Sequence, residues 1–357
     1  MDHIINTFIK LVQIDSPSGH EQLMARQLAG WLKKLDFSVR EDRAGNIIAQ
    51  RAGDGNLLLL SAHMDTVEPG RGIKPIIKNG KIISAGDTIL GADNKAAIAA
   101  IIYAVEKYLR NKKYPRAIEI VFTANEESGT GGSELLDISR LKSKLGIIFD
   151  SSEPIGAISL ASPYICNFQV IFIGKAAHVK NLEQGKNALE PAISFMANMK
   201  IGRLDKGMTS VNIGKISGGS GLNVVPEKIS ILGEVRGFSK KLFDKQLRSL
   251  EAKARACGKK SGTKVSFVQD GYFEGYLFRN NDEDVIKVSK VLADEGYKVR
   301  YTKTFSASDA NILNAKGMKT LNLSYGAEKV HSKEEFITVK NLKRLGEVVY
   351  SCLEKLE

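Results

Sequence analysis

Apolar residues recur along this chain with two different periods, and the alternation between them predicts an α/β architecture. Residues 1–35 read as two helices, the second with an apolar stripe of Leu23, Leu28, Trp31, Leu32 and Leu35. Ser18 followed by Glu21 has the spacing of a capping box. Short strands are expected at Ser38–Arg40 and Ile47–Gln50. Apolar runs at Leu57–Ser61, Ala117–Thr123 and Leu145–Phe149 then read as buried strands. A helix rich in Ala and Ile (Asp93–Leu109) and another near Ser133–Leu141 lie between them, as in βαβ units. The segment Val67–Gly91, rich in Gly, Pro and Ile, predicts a long functional loop with a small hairpin at Ile76–Ile83.

The pattern changes near Tyr164. Up to Asp270 it predicts strand (Ile165–Ile173), helix (Asn187–Lys200), two strands (Ser210–Ile216, Ile229–Val235), helix (Lys241–Lys259) and strand (Lys264–Val268). That order is βαββαβ, the ferredoxin-like split unit. Afterwards the chain returns to α/β, with helices Glu283–Glu295, Asp309–Ala315 and Val339–Leu356 and strands Tyr297–Tyr301 and Thr320–Leu323. A module at 164–270 inserted into an interrupted α/β domain (1–163 and 271–357) fits this order better than two successive domains.

Composition narrows the function classes. A chain of 357 residues is too long for one ordinary core, and 43% hydrophobic with 26% charged residues is a soluble globular balance. No run approaches the roughly 18 apolar residues of a membrane span. Met1-Asp2-His3 lacks the features of a signal peptide. Cys166, Cys257 and Cys352 lie far apart without CxxC spacing, which argues against a disulfide framework or a thiolate metal site and for a cytoplasmic location. The net charge of +12 comes from Lys and Arg along the whole chain without an RNP-like or zinc-finger pattern, so solvated basic faces are expected rather than a nucleic-acid partner.

The chemistry sits where the buried strands end. His63 and Asp65 follow the first run, Glu126 and Glu127 the second, and Asp150 ends the third; open parallel sheets keep their sites at such ends. His63 and Asp65 point to the same side in extended chain, so Asp65 can orient the ring for metal binding. Asp93 reads alone as a helix cap, but in this company as a carboxylate bridging two metals. Adjacent glutamates can divide binding from proton transfer. With His331, the set offers oxygen and nitrogen donors and no thiolate, which suits zinc, with cobalt or manganese as substitutes.

The motifs SAHMDTVEPG (61–70), GADNKAA (91–97), TANEESGTGGS (123–133), IFDSSEP (148–154) and KVHSKEEF (329–336) resemble, in this order, the di-zinc amidohydrolase family of aminoacylases, carboxypeptidase G and peptidase T. GKAAHVK (174–180), NVVPEK (223–228), SDANIL (308–313) and HSKEE (331–335) are most similar to its peptidase T-like, tripeptidase branch. The resemblance implies a zinc-exopeptidase-like domain with a mixed central sheet flanked by helices, and makes the insert a lid and dimerisation domain. It implies two zinc ions per subunit, one held by His63 and Asp150, the other by Glu127 and His331, with Asp93 between them and its bond to Asn94 cis. Asp65 would orient His63, and Glu126 would be the general base. His178 would stabilise the oxyanion, reaching the site of a partner subunit in a homodimer, and Asn223 and Arg236 would bind substrate. The implied activity is amide hydrolysis of short peptides. An N-acyl-amino-acid amidohydrolase shares the chemistry, and a non-catalytic binding protein is a distant alternative that the intact Glu126 opposes. Val179-Lys180 after His178, and Ser306-Ala307 before SDAN, stand where the family usually has a smaller residue or glycines, which bears on the substrate rather than the metals. Two glycine-rich stretches remain. Gly129–Gly132 lacks the Lys-Ser/Thr of a phosphate loop and reads as a flexible turn; Ser217–Gly221 reads equally as a loop closing on ligand or a plain connector.

Overall fold

A computed structural model describes residues 2–356. The chain divides into two compact units, one of Met1–Ala161, Phe278–Thr304 and Ser308–Glu357, the other of Ser162–Leu277 and Phe305–Ala307. The breaks expected after 163 and 270 fall after 161 and 277.

In the first unit the buried runs form the middle of a mixed sheet. Its order is Ser38–Glu41, Ile47–Arg51, Arg116–Thr123, Asp54–His63, Leu145–Ser151, Thr320–Ser324, Ala157–Ser162, with Arg300–Lys303 also paired to the last. The four inner strands, from Arg116–Thr123 to Thr320–Ser324, are mutually parallel. Their outer neighbours run antiparallel. Leu58, Leu59 and Leu60 are all buried, so both faces of the strand are covered and apolar residues need not alternate. Each such leucine contributes about 1.5–3 kcal/mol relative to leaving it exposed. Helices His3–Val12, Ala92–Asn111 and Val339–Lys355 pack on one another. Gly346 allows that approach, because a Cβ there would lie 2.7 Å from Ile4 and 2.8 Å from the Tyr103 ring.

Several local expectations change. Leu23 is 57% exposed, so the stripe of helix Gln22–Lys34 rests on Met24, Ala25, Leu28 and Leu32 instead. The Ser18–Glu21 capping box does not form. Glu21 is itself the N-cap residue and makes no side-chain cap bond, because both side chains are drawn into long-range contacts described below. The helix expected from Asp93 starts at Ala92 with Gly91 as its cap, and Asp93 and Asn94 have non-helical dihedrals. The helix expected over Ser133–Leu141 is shorter, Gly131–Leu135 followed by a 3-10 turn at Ile138–Arg140. The Ile76–Ile83 hairpin forms as Pro75–Lys78 against Lys81–Ser84. It extends through Phe336–Thr338 and Ala327–Glu328 into a separate four-stranded sheet.

The second unit is a five-stranded antiparallel sheet in the order Gly202–Leu204, Thr209–Gly218, Lys228–Gly237, Tyr164–Ile173, Lys264–Phe273. Without the short first strand, this is the ferredoxin-like order. Phe168, Val170, Phe172, Ile231 and Val235 form one core with Phe195 of helix Leu189–Ala197 and Phe243, Leu247 and Leu250 of helix Lys240–Ser261. Among the described residues no helix is long and apolar enough to cross a membrane.

Candidate metal centre

His63 is the last residue of its strand and lies opposite Thr123, so the carboxyl ends of the parallel strands gather the polar residues that follow them. The His63 ring is buried. Its Nδ1 is 3.0 Å from the Asp65 carbonyl oxygen and 3.4 Å from the Asp65 carboxylate. With Nδ1–H donating there, Nε2 is the nitrogen turned to the other carboxylates, 3.2 Å from Asp93 Oδ1 and 3.7 Å from Asp150 Oδ1. Nδ1 thus faces both the backbone carbonyl and the side chain of Asp65, the residue expected to orient the ring.

Two triads meet at Asp93. His63, Asp93 and Asp150 bring one ligand atom each within 4.8 Å of one another, and so do Asp93, Glu127 and His331. His331 Nε2 lies 3.3 Å from Asp93 Oδ2 and 2.9 Å from Glu127 Oε1, so the two oxygens of Asp93 face opposite imidazoles. A third triad, His63, Glu126 and Glu127, has the same dimension. The Asp93–Asn94 peptide is cis.

The electrostatics are those of a cluster with too many carboxylates. Burial pushes Glu126 well above the usual carboxylate range, with Asp150, Asp309 and Glu127 adding to the effect and His63 opposing it. Burial and the Asp93, Asp309 and Glu127 charges likewise raise Asp150, against His63. Burial would also raise Asp93, but its bonds to His331 and His63 hold it well below the ordinary value. The same bonds, to Asp93 first and then Glu127, lift His331 to about 10. Buried charges of one sign are tolerated when paired or coordinated to a cation. The donor set of carboxylate oxygens and imidazole nitrogens, with each Asp93 oxygen turned to a different triad, fits a pair of borderline-hard divalent cations.

Glu126 and Glu127 ride on a tight turn. Gly129 and Thr130 N–H groups donate to the Glu126 carbonyl, at 2.9 and 2.8 Å. Gly131 N–H donates to Asn125 and Gly132 N–H to Ala124. A Cβ on Gly132 would lie 2.1 Å from the Ala124 carbonyl oxygen and 2.5 Å from Asn46 Oδ1, so the closing position requires glycine. The stretch expected to be a flexible turn is therefore a turn closed by its own backbone. Asp65, buried, fixes it from below: its carboxylate accepts Glu126 N–H at 2.9 Å, Glu127 N–H at 3.0 Å and the Ser18 hydroxyl at 2.6 Å. Glu21 accepts Asn125 N–H at 2.9 Å and Gly19 N–H at 2.8 Å. These contacts are why Ser18 and Glu21 do not cap their helix.

Most of the other positioning groups find partners distant in the chain. Asn94 Nδ2 donates to the Phe149 carbonyl at 2.8 Å and to Asp150 Oδ1 at 3.0 Å. Asn322 Oδ1 accepts Asp150 N–H at 3.1 Å. Asp309, buried, accepts the Thr123 hydroxyl, while Ser308 and Asn311 form the capping box of helix Asp309–Ala315. Glu335, buried, accepts N–H groups of Leu90, Gly91 and Asp93.

The remaining expected residues lie in the second unit. His178 and Asn223 are exposed neighbours: His178 pairs with Val224 as an isolated bridge, and its Nε2 is 3.4 Å from the Asn223 amide. His178 Nδ1 accepts Lys180 N–H at 3.2 Å, so Nε2 is the ring nitrogen left to donate. Arg236 is not a free fork. Its Nε and Nη2 donate to both oxygens of Glu234, and Nη1 donates to the Phe305 carbonyl. Glu234 and Arg236 line a concavity of about 560 Å³ on the sheet face opposite its helices.

The model of Peptidase family M20/M25/M40 matches residues 59–355. Protein YqjE of Bacillus subtilis strain 168 is 31% identical over 363 residues, covering 99% of this chain and 98% of its own. The solved aminopeptidase PepT of Bacillus cereus ATCC 10987 is 31% identical with a TM-score of 0.94, covering 99% and 98% of the two chains. A solved tripeptidase of Staphylococcus aureus Mu50 is 29% identical with a TM-score of 0.93, covering 99% and 97%. With a family match across most of its length and a relative 31% identical over nearly all of both chains, the chain belongs to peptidase family M20/M25/M40.

Proposed function

We propose that this chain is a dinuclear zinc exopeptidase that removes residues from short peptides with free amino termini, in the manner of the aminopeptidase and tripeptidase it is similar to. The observation that carries the reading is the sharing of Asp93 between the triads His63–Asp93–Asp150 and Asp93–Glu127–His331. His63 and Asp150 would hold one cation, Glu127 and His331 the other, and Asp93 both; cobalt or manganese could substitute for zinc. Such a pair, when bound, polarises a carbonyl and acidifies water near neutral pH.

The chain's own residues supply the rest. Glu126, desolvated beside three other carboxylates, is poised to take a proton from the attacking water and deliver it to the departing amine. The turn and Asp65 fix where that carboxyl stands. His178 would donate from Nε2 to the oxyanion, with Asn223 beside it, a role that we assign to a partner subunit's active site in a homodimer built through the second unit. Arg236 would meet a substrate carboxylate only by exchanging it for Glu234, which makes it a conditional anchor. Three free cysteines, two of them buried, agree with a reducing cytoplasm.

The test is hydrolysis of tripeptides, dipeptides and N-acetyl or N-succinyl amino acids by metal-stripped protein refilled with zinc or cobalt. Metal-dependent cleavage of peptides with free amino termini is expected. Turnover of blocked substrates alone would make the chain a deacylase, and none at all would favour a binding protein.

A further inference from the structure

Glu335 occupies a place that neither catalysis nor metal ligation uses. The residue is 1% exposed, and its carboxylate accepts three backbone N–H groups of one segment: Leu90 at 2.9 Å and Gly91 at 2.7 Å on Oε2, and Asp93 at 3.0 Å on Oε1. Helix starts leave N–H groups without partners, and Gly91, the N-cap here, has no side chain to serve them. Glu335 serves them from the far end of the chain. It stands at the foot of the hairpin formed by Ala327–Glu328 and Phe336–Thr338, whose connecting loop carries His331. Within that loop the Ser332 hydroxyl donates to the Lys329 carbonyl at 2.7 Å, and Glu335 N–H donates to the Ser332 carbonyl at 3.0 Å. One carboxylate therefore fastens the loop that bears His331 to the segment that bears Asp93.

The two triads do not depend equally on that fastening. His63 is held by the Asp65 carbonyl, and Asp150 by Asn94 and Asn322. His331 sits in a left-handed conformation, as does Lys329, with its side chain 47% exposed. Among the described residues its ring makes polar contacts only with Asp93 and Glu127, through Nε2. The placement of that ring is left to its loop. We infer that Glu335 is a positioning residue that sets the spacing of Asp93 and His331, so that the Asp93–Glu127–His331 pocket depends on it while the His63–Asp93–Asp150 pocket largely does not. The inference rests on the reading of these triads as two metal pockets.

A glutamine at 335 offers one acceptor oxygen where two now serve three donors, and turns an amide N–H₂ toward an N–H. An aspartate keeps both oxygens but falls short by a methylene. Calorimetric titration of metal-stripped wild type, Glu335→Gln and Glu335→Asp with zinc tests the idea, with urea unfolding of each metal-free form to separate loss of fold from loss of metal. Wild type should bind two ions. Glu335→Gln should bind the first nearly as wild type and the second about 10- to 100-fold more weakly, the usual effect of removing an outer partner of a metal site. Glu335→Asp should fall between, and it supplies the measurement if the glutamine variant does not fold. Equal weakening of both ions would reduce Glu335 to a structural cap, and wild-type affinity for both ions in both variants would also overturn the inference. Failure of the wild type itself to bind two ions would instead sink the dinuclear reading.

Discussion

Asp65→Asn is the substitution that most sharply separates the roles of the site's carboxylates. Its two oxygens hold the N–H groups of Glu126 and Glu127 separately, at 2.9 and 3.0 Å, so a single amide oxygen can satisfy only one of them. The orphaned N–H costs about 1–3 kcal/mol, and loss of charge assistance on the surviving bond adds about 1 kcal/mol. The sum is about 2–4 kcal/mol. Burial would raise the Asp65 carboxyl, but bonds to His63, Ser18 and Glu126 bring it below its ordinary 3.8. A depressed carboxylate contributes stability above that value and loses it only as pH falls through the folded value, so the contribution is complete at pH 7. Metal-free protein is the proper material, because bound metal would add stabilisation of its own. Trp31, the chain's only tryptophan, packs against the core of the first unit and reports its unfolding in urea by fluorescence. The account expects a loss of about 2–4 kcal/mol at constant m, and in refilled protein a fall in kcat that exceeds any change in KM. A change below about 0.5 kcal/mol would refute the idea that Asp65 fastens the Glu126–Glu127 turn.

Other outcomes follow from the same geometry. Glu126→Gln should keep full metal content while kcat drops about 10²- to 10⁴-fold, the range for a lost general base; unchanged turnover removes the assignment. Gly132→Ala must push a methyl into the Ala124 carbonyl, so it should destabilise by about 3 kcal/mol in the same fluorescence assay, and a neutral result would show that the turn relaxes freely. His331, raised toward about 10 by Asp93 and Glu127, makes a contribution to metal-free stability that is complete below its ordinary 6.5 and fades as pH rises toward 10. Zinc must displace that proton, so affinity should rise between pH 6 and 9 with proton release in calorimetry, and pH-independent binding would exclude His331 as a ligand.

The sequence was legible where chemistry and strand pattern coincide. Apolar runs ending in His63, Glu126 and Asp150 were enough to bring those residues together, because parallel strands deliver their carboxyl ends to one edge. It was illegible where partners lie far apart in the chain. Ser18 and Glu21 have the local spacing of a cap, yet contacts with Asp65 and Asn125 outcompete it. Asp93, which read alone has the look of a helix cap, stands in non-helical backbone after Gly91. Glu335 could not be told from Glu334 beside it, although one is buried on three N–H groups and the other forms an exposed ion pair with Lys329. Arg236 has an acidic residue two positions earlier on the same face of its strand, and that spacing could have signalled that the guanidinium is already engaged.

The most direct test of the central claim is anomalous X-ray scattering at the zinc edge from crystals of the zinc-loaded protein. Two peaks are predicted, one bounded by His63, Asp93 and Asp150 and the other by Asp93, Glu127 and His331, with Asp93 touching both. A single peak, or peaks away from Asp93, would contradict the account.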